Sequence, residues 1–388
     1  MKISILTPNL SHNCLGRAYL LAKILQRHYE IEVIGPIFGD GVWKPVTGDK
    51  TITYKGVKIS GRINPYRQTI ELAKKIDGDV IYASKPLFMS FGVGILKKRF
   101  DNKPLILDID DWEMGFIKEN YNNQPLPRRI TSLAYSAIFL YNIDSYWNNL
   151  LGEKLSYLSD EITTSNTFLK GQFGGTIVWH GRDTKAFDPK KFSKESLRKM
   201  YGIGKEKKIV MFFGSPRPHK GLEDLVKAVN LIKDQDTILL LVGIDGSDQY
   251  ANNLLTTAQV ALGNRLKTFG LQPFESVPKF LTMADTIVIP QKNNYATMGQ
   301  LPAKIFDAMA MAKPIIATNV SDIPEILDGC GWIVEPEKPA QLAERIEYVL
   351  DNPEEAGEMG QNARQKCIER YSWDAIEETL LKIFKKYE

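Results

Sequence analysis

The sequence predicts an α/β protein made of two doubly wound domains in tandem, each a parallel sheet covered by helices. Three observations lead there. At 388 residues the chain exceeds the length at which one hydrophobic core stops growing. Short apolar runs alternate with helix-length segments throughout. That alternation breaks at a polar, proline-closed segment, residues 182–189, and then starts again.

In the first half, residues 3–6 form an apolar run ended by Pro8, and a helix-period segment follows at 16–26. Further strand-like runs lie at 31–35, 80–83, 105–109 and 177–179. After the break, runs at 209–213, 238–242, 266–269, 286–289, 315–318 and 332–334 repeat the pattern. Helical segments at 339–350, 354–370 and 373–387 close the chain. The expected partition is 1–182, 183–372, and a last helix 373–388 lying back on the first domain or across both. Open parallel sheets bind ligands beyond the carboxyl ends of their strands, so two facing domains imply an active site in the cleft between them.

Composition narrows the function. Fifty basic and 46 acidic residues leave a net charge of only +4, which gives no support to a nucleic-acid partner. Cys14, Cys330 and Cys367 are far apart and form no CxxC pair, so neither a disulfide framework nor a zinc site is expected. The N-terminal apolar run is too short for a signal peptide, and the most apolar stretch, 130–158, is interrupted by Asn142, Asp144, Asn148, Asn149 and Glu153. The expectation is a cytoplasmic protein without a membrane span.

Two segments can carry chemistry. In 212–221, Phe-Phe-Gly-Ser-Pro-Arg-Pro-His-Lys-Gly, a buried strand ends at Gly214 and a cationic loop with Arg217 and Lys220 leads into a helix. A guanidinium and an ammonium at a strand's carboxyl end can offset the charge growing on a departing diphosphate. The alternative is a turn that needs Gly and Pro, with solvated cations. In 299–310, Gly-Gln-Leu-Pro-Ala-Lys-Ile-Phe-Asp-Ala-Met-Ala, Pro302 marks a first helical turn. Amide groups there, at Gln300 and Leu301, favour phosphate, with Lys304 beside them, and Asp307 one turn on can accept ribose hydroxyls. Ile305, Phe306, Met309 and Ala310 in that segment read as core.

With these motifs, with SDIPEIL at 321–327, WHGRDTKAFDP at 179–189 and the glycine loop NLSHNCLGR at 9–17, nearly the whole chain resembles the retaining glycosyltransferases of family four. The resemblance implies the GT-B architecture of two facing Rossmann-like domains, with the acceptor on the N-terminal side and a nucleotide-sugar on the C-terminal side. It implies that Arg217 and Lys220 hold the donor diphosphate, that Asp307 holds the ribose, and that Gly16 lets the backbone approach the donor phosphates. The chain departs from the pattern twice. Ser215 stands where the family has its arginine, and Gly299 stands where it has a first, sugar-contacting glutamate. The family places the segment 108–113 by the sugar, where Asp110 and Asp111 stand without the usual histidine; Asp111 either orients sugar or acceptor hydroxyls or caps the next turn. Gly270, after the strand at 266–269, falls where relatives read the nucleobase through backbone groups, leaving UDP, GDP and ADP sugars open. His12, Arg17, His180 and Arg182 are further candidates for lining the cleft.

Arg128 and Arg129 precede an apolar and aromatic stretch, Leu133 to Trp147, with Lys97, Lys98 and Arg99 nearby in sequence. It reads either as core or as a surface resting peripherally on an anionic membrane beside a lipid-linked glycan. The expected activity is therefore hexosyl transfer from a nucleotide-diphosphate sugar to a glycan, lipid-linked or small-molecule acceptor, with retention, in envelope or exopolysaccharide synthesis. No cofactor or metal is expected. The alternatives are a nucleotide-sugar 2-epimerase, for which the four histidines form no matched acid/base cluster, and a non-catalytic two-lobed sugar-binding protein.

Overall fold

A computed structural model describes residues 1–59 and 65–388. The chain forms two compact units. The first comprises Met1–His180, Met298–Leu301 and Ile376–Glu388, and the second Gly181–Thr297 and Pro302–Ala375.

The first unit contains β1 (Lys2–Leu6), β2 (Glu30–Ile37), β3 (Thr53–Lys58), β4 (Val80–Ser84), β5 (Leu105–Ile109), β6 (Glu161–Thr164) and β7 (Thr176–Ile177). They form one parallel sheet in the order β3-β2-β1-β4-β5-β6-β7. All residues of β4 and β5 are buried, as expected of central strands covered on both faces. Strands β3 and β6 escaped the sequence reading because TYKGVK and EITT are polar, and the run expected at 177–179 pairs only through Thr176–Ile177. The last helix, Trp373–Phe384, crosses into this unit: Phe384 packs on Tyr29 and Tyr82, and Glu377 pairs with Arg27.

The second unit contains β8 (Lys208–Phe213), β9 (Thr237–Ile244), β10 (Leu266–Gly270), β11 (Thr286–Ile289), β12 (Ile315–Thr318) and β13 (Trp332–Val334), ordered β10-β9-β8-β11-β12-β13. Its core centres on Phe212, Leu239, Leu241, Val288 and Ile316, packed under the Leu222–Leu231 and Pro339–Asp351 helices. Each sheet reverses its strand order once, between β1 and β4 and between β8 and β11, and the crevice at such a reversal is where doubly wound sheets take ligands.

The segment Met298–Leu301 corrects the expected partition, which put it in the second domain. The Trp112 amide donates to Gly299 O at 3.1 Å, the Asn166 amide to the same oxygen at 3.1 Å, and Asp111 pairs with Gln300 in an antiparallel bridge. These bonds tie the segment to the first unit. The predicted donor-binding set is thereby divided, with Gly16, Gln300 and Leu301 in the first unit and Gly214, Gly270, Lys304 and Asp307 in the second.

Candidate functional site

In the first unit the chemistry gathers just past the ends of β4 and β5. Lys85, directly after β4, holds φ at 70°, a strained conformation for a residue with a side chain. Its ammonium lies 2.9 Å from Asp110 Oδ1, 2.9 Å from Asp111 Oδ2 and 2.5 Å from Glu113 Oε1. One cation against three carboxylates cannot neutralise them all. Burial would lower the Lys85 pKa, but the three acids hold it well above its usual value. Burial works against Asp110 as well, yet Lys85, backed by His180 and Arg17, holds that carboxyl below the ordinary range. Asp111 and Glu113 lose the competition: burial raises both, and Glu113 is pushed up to about 7. The cluster therefore keeps a carboxyl able to hold or release a proton near neutrality. The three carboxylates lie within 4.8 Å of one another, a spacing that suits a cation, and the cation among them is Lys85.

Gln300 Nε2 donates to Asp111 Oδ1 at 3.3 Å, which adds the sequence-predicted Gln300 to this cluster. The same neighbourhood accounts for Gly299. A Cβ there would lie 2.3 Å from Trp112 Cβ and 3.2 Å from the Phe168 ring, so a glutamate at this position would displace the backbone bridge to Asp111. Gly16 is different. Its backbone is not left-handed and a Cβ would meet only Trp43 at 3.7 Å, so no packing inside the protein demands glycine. Arg17 does not line a surface. It is buried, with Nε and Nη2 each donating at 2.9 Å to Asp108 and with further bonds to Val178 O and Trp179 O, which pins the Leu15–Leu25 helix to β5.

In the second unit, Gly214 follows β8 with φ at 119°, and Gly243, the next-to-last residue of β9, has φ at 100°. A Cβ on Gly243 would sit 3.1 Å from the Gly214 backbone, so the two glycines allow the strand ends to touch. Lys304 lies over this point: its Nζ is 4.8 Å from the Phe212 ring centroid, and a Cβ on Gly214 would come within 2.9 Å of it. Burial lowers the Lys304 pKa to about 8, offset in part by Asp307. A half-buried ammonium so poorly compensated favours an incoming anion.

The loop from Gly214 ends at Gly221, whose φ of 64° opens the Leu222–Leu231 helix and whose Cβ would fall 1.9 Å from Pro290 O just past β11. Gly221 therefore locks the loop against the second sheet's reversal point. Lys220 folds back, its Nζ donating to Ser215 O at 2.6 Å. Arg217 pairs with Asp248, which also caps the Gln249–Leu262 helix by accepting from the Ala251 amide. Asp307 is buried, and its carboxylate accepts from Arg182: Nε reaches Oδ1 and Nη2 reaches Oδ2 at 3.2 Å. A ribose hydroxyl would have to join that ion pair. Gly270 is exposed at the end of β10, after a shift in register, and a Cβ there would meet only Ile244 O, at 3.8 Å.

Sequence reasoning misses Lys85 and Asp248, and it reads Glu113 only as part of the carboxylate cluster at 108–113. The signal for Lys85 was its position at the carboxyl end of a buried strand, the same signal that singled out Arg217 and Lys220.

Fold and site together define the class. Each unit is a Rossmann-like sheet with its charged groups at the carboxyl-end crevice, and the chain has the GT-B fold. The structure of HepE from Anabaena in complex with UDP and glucose superposes with a TM-score of 0.77 over 100% of both chains, at 16% identity. Residues 193–366, within the second unit, match the family described as Glycosyl transferases group 1. Alpha-maltose-1-phosphate synthase of Mycolicibacterium smegmatis is 28% identical over 54% of this chain, and the match spans only 56% of that protein. An uncharacterized glycosyltransferase of Methanocaldococcus jannaschii is 22% identical over 80% of this chain and 86% of its own length.

Proposed function

We propose that the protein transfers a hexosyl group from a nucleotide-diphosphate sugar, bound on the second unit, to a glycan, lipid-linked or small-molecule acceptor. The observation that carries this reading is the cationic crevice at the β8–β11 reversal, where Lys304 stands over Gly214 and Gly221 fixes the loop bearing Arg217 and Lys220. These groups suit a pyrophosphate. Lys220 and Lys304 neutralise the charge that develops as the glycosidic bond breaks, Arg217 exchanges Asp248 for phosphate, and Asp307 with Arg182 receives the ribose. The open backbone at Gly270 leaves room for the base. UDP bound to HepE supports a nucleoside diphosphate as the donor half.

The reading extends to family four and to retention, in which the leaving diphosphate takes the proton of the incoming hydroxyl on the same face. In the first unit, Asp111 orients acceptor or sugar hydroxyls through the Lys85 cluster. No metal is needed where ammonium groups carry the charge. A peripheral contact with an anionic membrane is part of the proposal. The Leu126–Ile138 helix, which also carries Arg128 and Arg129, turns an apolar stripe outward, with Leu126 67%, Ile130 59% and Ile138 65% exposed. Among the described residues no helix is long and apolar enough to cross a membrane.

The test is to incubate the protein with UDP-, GDP- and ADP-sugars and measure release of the nucleoside diphosphate. One of them is expected to turn over, with Lys220→Ala slowing it by about 100-fold. Release from none of them, or an unchanged rate in Lys220→Ala, contradicts the assignment.

A further inference from the structure

An unassigned opening lies at the far end of the helix that follows the acidic cluster. An open pocket of about 440 Å³ lies between the Glu113–Asn122 and Leu126–Ile138 helices and the loop 139–145, lined among others by Tyr121, Gln124, Arg128, Tyr135, Phe139 and Asn142. Its walls are built. Ser145 caps the Tyr146–Lys154 helix and donates to Ser136 O at 2.8 Å, the Trp147 indole donates to Leu133 O at 3.1 Å, and Tyr135 packs on Phe139 with centroids 4.3 Å apart.

Two groups in the lining have no side-chain partner among the described residues. Gln124 Oε1 is buried without a hydrogen-bond partner, while its amide nitrogen donates to Asn120 at 3.0 Å. An orphaned buried acceptor calls for a donor from outside the chain. Arg128 makes no ion pair or side-chain hydrogen bond to the described residues. Its neighbour Arg129 instead turns back on the chain, donating to Gln124 O at 2.8 Å and Asn122 O at 2.7 Å to close the turn. The helix carrying both is oriented with its polar side, Arg128, Thr131, Ser132 and Tyr135, to the cavity and its apolar stripe outward. The lining also holds the Asp144 carboxylate, so its one cation, Arg128, fixes where an anion can sit; aromatic rings beside amides, hydroxyls and this guanidinium fit a sugar chain bearing a carboxylate or similar anion placed at Arg128.

We propose that this cavity binds an acidic oligosaccharide, as a subsite for the acceptor at a distance from the bond being made. The proposal rests on the sugar-transfer reading above. Glu113 and Asn120 stand at the two ends of one helix, seven residues or roughly 10 Å apart along its axis. An acceptor whose end group lies at the Asp111 cluster thus reaches the cavity within a short oligosaccharide, and the cavity selects what precedes the accepting sugar.

The test is calorimetric titration of the full-length protein with trigalacturonate and with neutral maltotriose, in wild type, Arg128→Ala and Tyr135→Ala, alongside nucleotide-sugar hydrolysis to water by the same three proteins. Wild type is expected to bind trigalacturonate, Arg128→Ala to lose at least about tenfold of that affinity with little effect on maltotriose, and Tyr135→Ala to weaken both. Hydrolysis of the donor should be unchanged in both variants, which also shows that they fold. No binding of trigalacturonate by wild type, or equal binding by Arg128→Ala, overturns the proposal even if the donor is hydrolysed. Binding with the expected losses but no donor hydrolysis leaves the subsite standing and removes the transferase reading.

Discussion

Replacing Gly221 with alanine adds one methyl group to the loop that the account assigns to phosphate. Two costs follow. Any residue with a Cβ at φ of 64° pays about 1–2 kcal/mol. The new carbon would also sit 1.9 Å from Pro290 O, an overlap relieved only by moving backbone or opening bond angles, at about 4 kcal/mol for a 15° distortion. Gly202 supplies the control in the same unit, since it has the same φ of 64° with nothing within 4 Å of its Cβ position. Urea unfolding followed by tryptophan fluorescence should place Gly202→Ala about 1–2 kcal/mol below wild type and Gly221→Ala about 5–6 kcal/mol below. Nucleotide-dependent stabilisation should disappear only in Gly221→Ala. Equal losses in the two variants would refute the argument that Gly221 is pinned against the second sheet.

Asp307→Ala should destabilise the second unit by about 3–5 kcal/mol, because it strands the buried Arg182 guanidinium; the double variant Arg182→Met/Asp307→Ala should recover much of that in thermal unfolding while still failing to bind nucleotide. Glu113 is protonated more readily in the folded state than in the unfolded one, so its contribution to stability is present at acidic pH and is lost as pH rises from about 4.5 through about 7. Melting temperatures of wild type should carry that downward slope, on the order of 3 kcal/mol in all, and Glu113→Gln should flatten it.

Much of the fold was legible because central strands of a parallel sheet are unbroken apolar runs: the runs at 105–109, 286–289 and 315–318 coincide with β5, β11 and β12. The polar edge and near-edge strands β3 and β6 carry no such mark. The phosphate loop was legible because Gly214 and Gly221 punctuate a strand–turn–helix unit, whereas side-chain pairings were not. Arg17 with Asp108 and Arg182 with Asp307 join residues 91 and 125 positions apart, and nothing local marks either pair. The return of Met298–Leu301 to the first unit was hidden for the same reason. It depends on Trp112 and Asn166 finding Gly299 O, and the only trace in the sequence was a glycine where the family carries glutamate.

The central claim is that Lys220, Lys304 and the Gly214–Gly221 loop grip a diphosphate, and it is tested most directly by comparing a nucleoside diphosphate with its nucleoside. Titrating UDP, GDP and ADP and the matching nucleosides into wild type and Lys220→Ala by calorimetry should show one diphosphate binding at least about tenfold more tightly than its nucleoside, a margin that collapses in the variant. Equal affinity of diphosphate and nucleoside in wild type would contradict it.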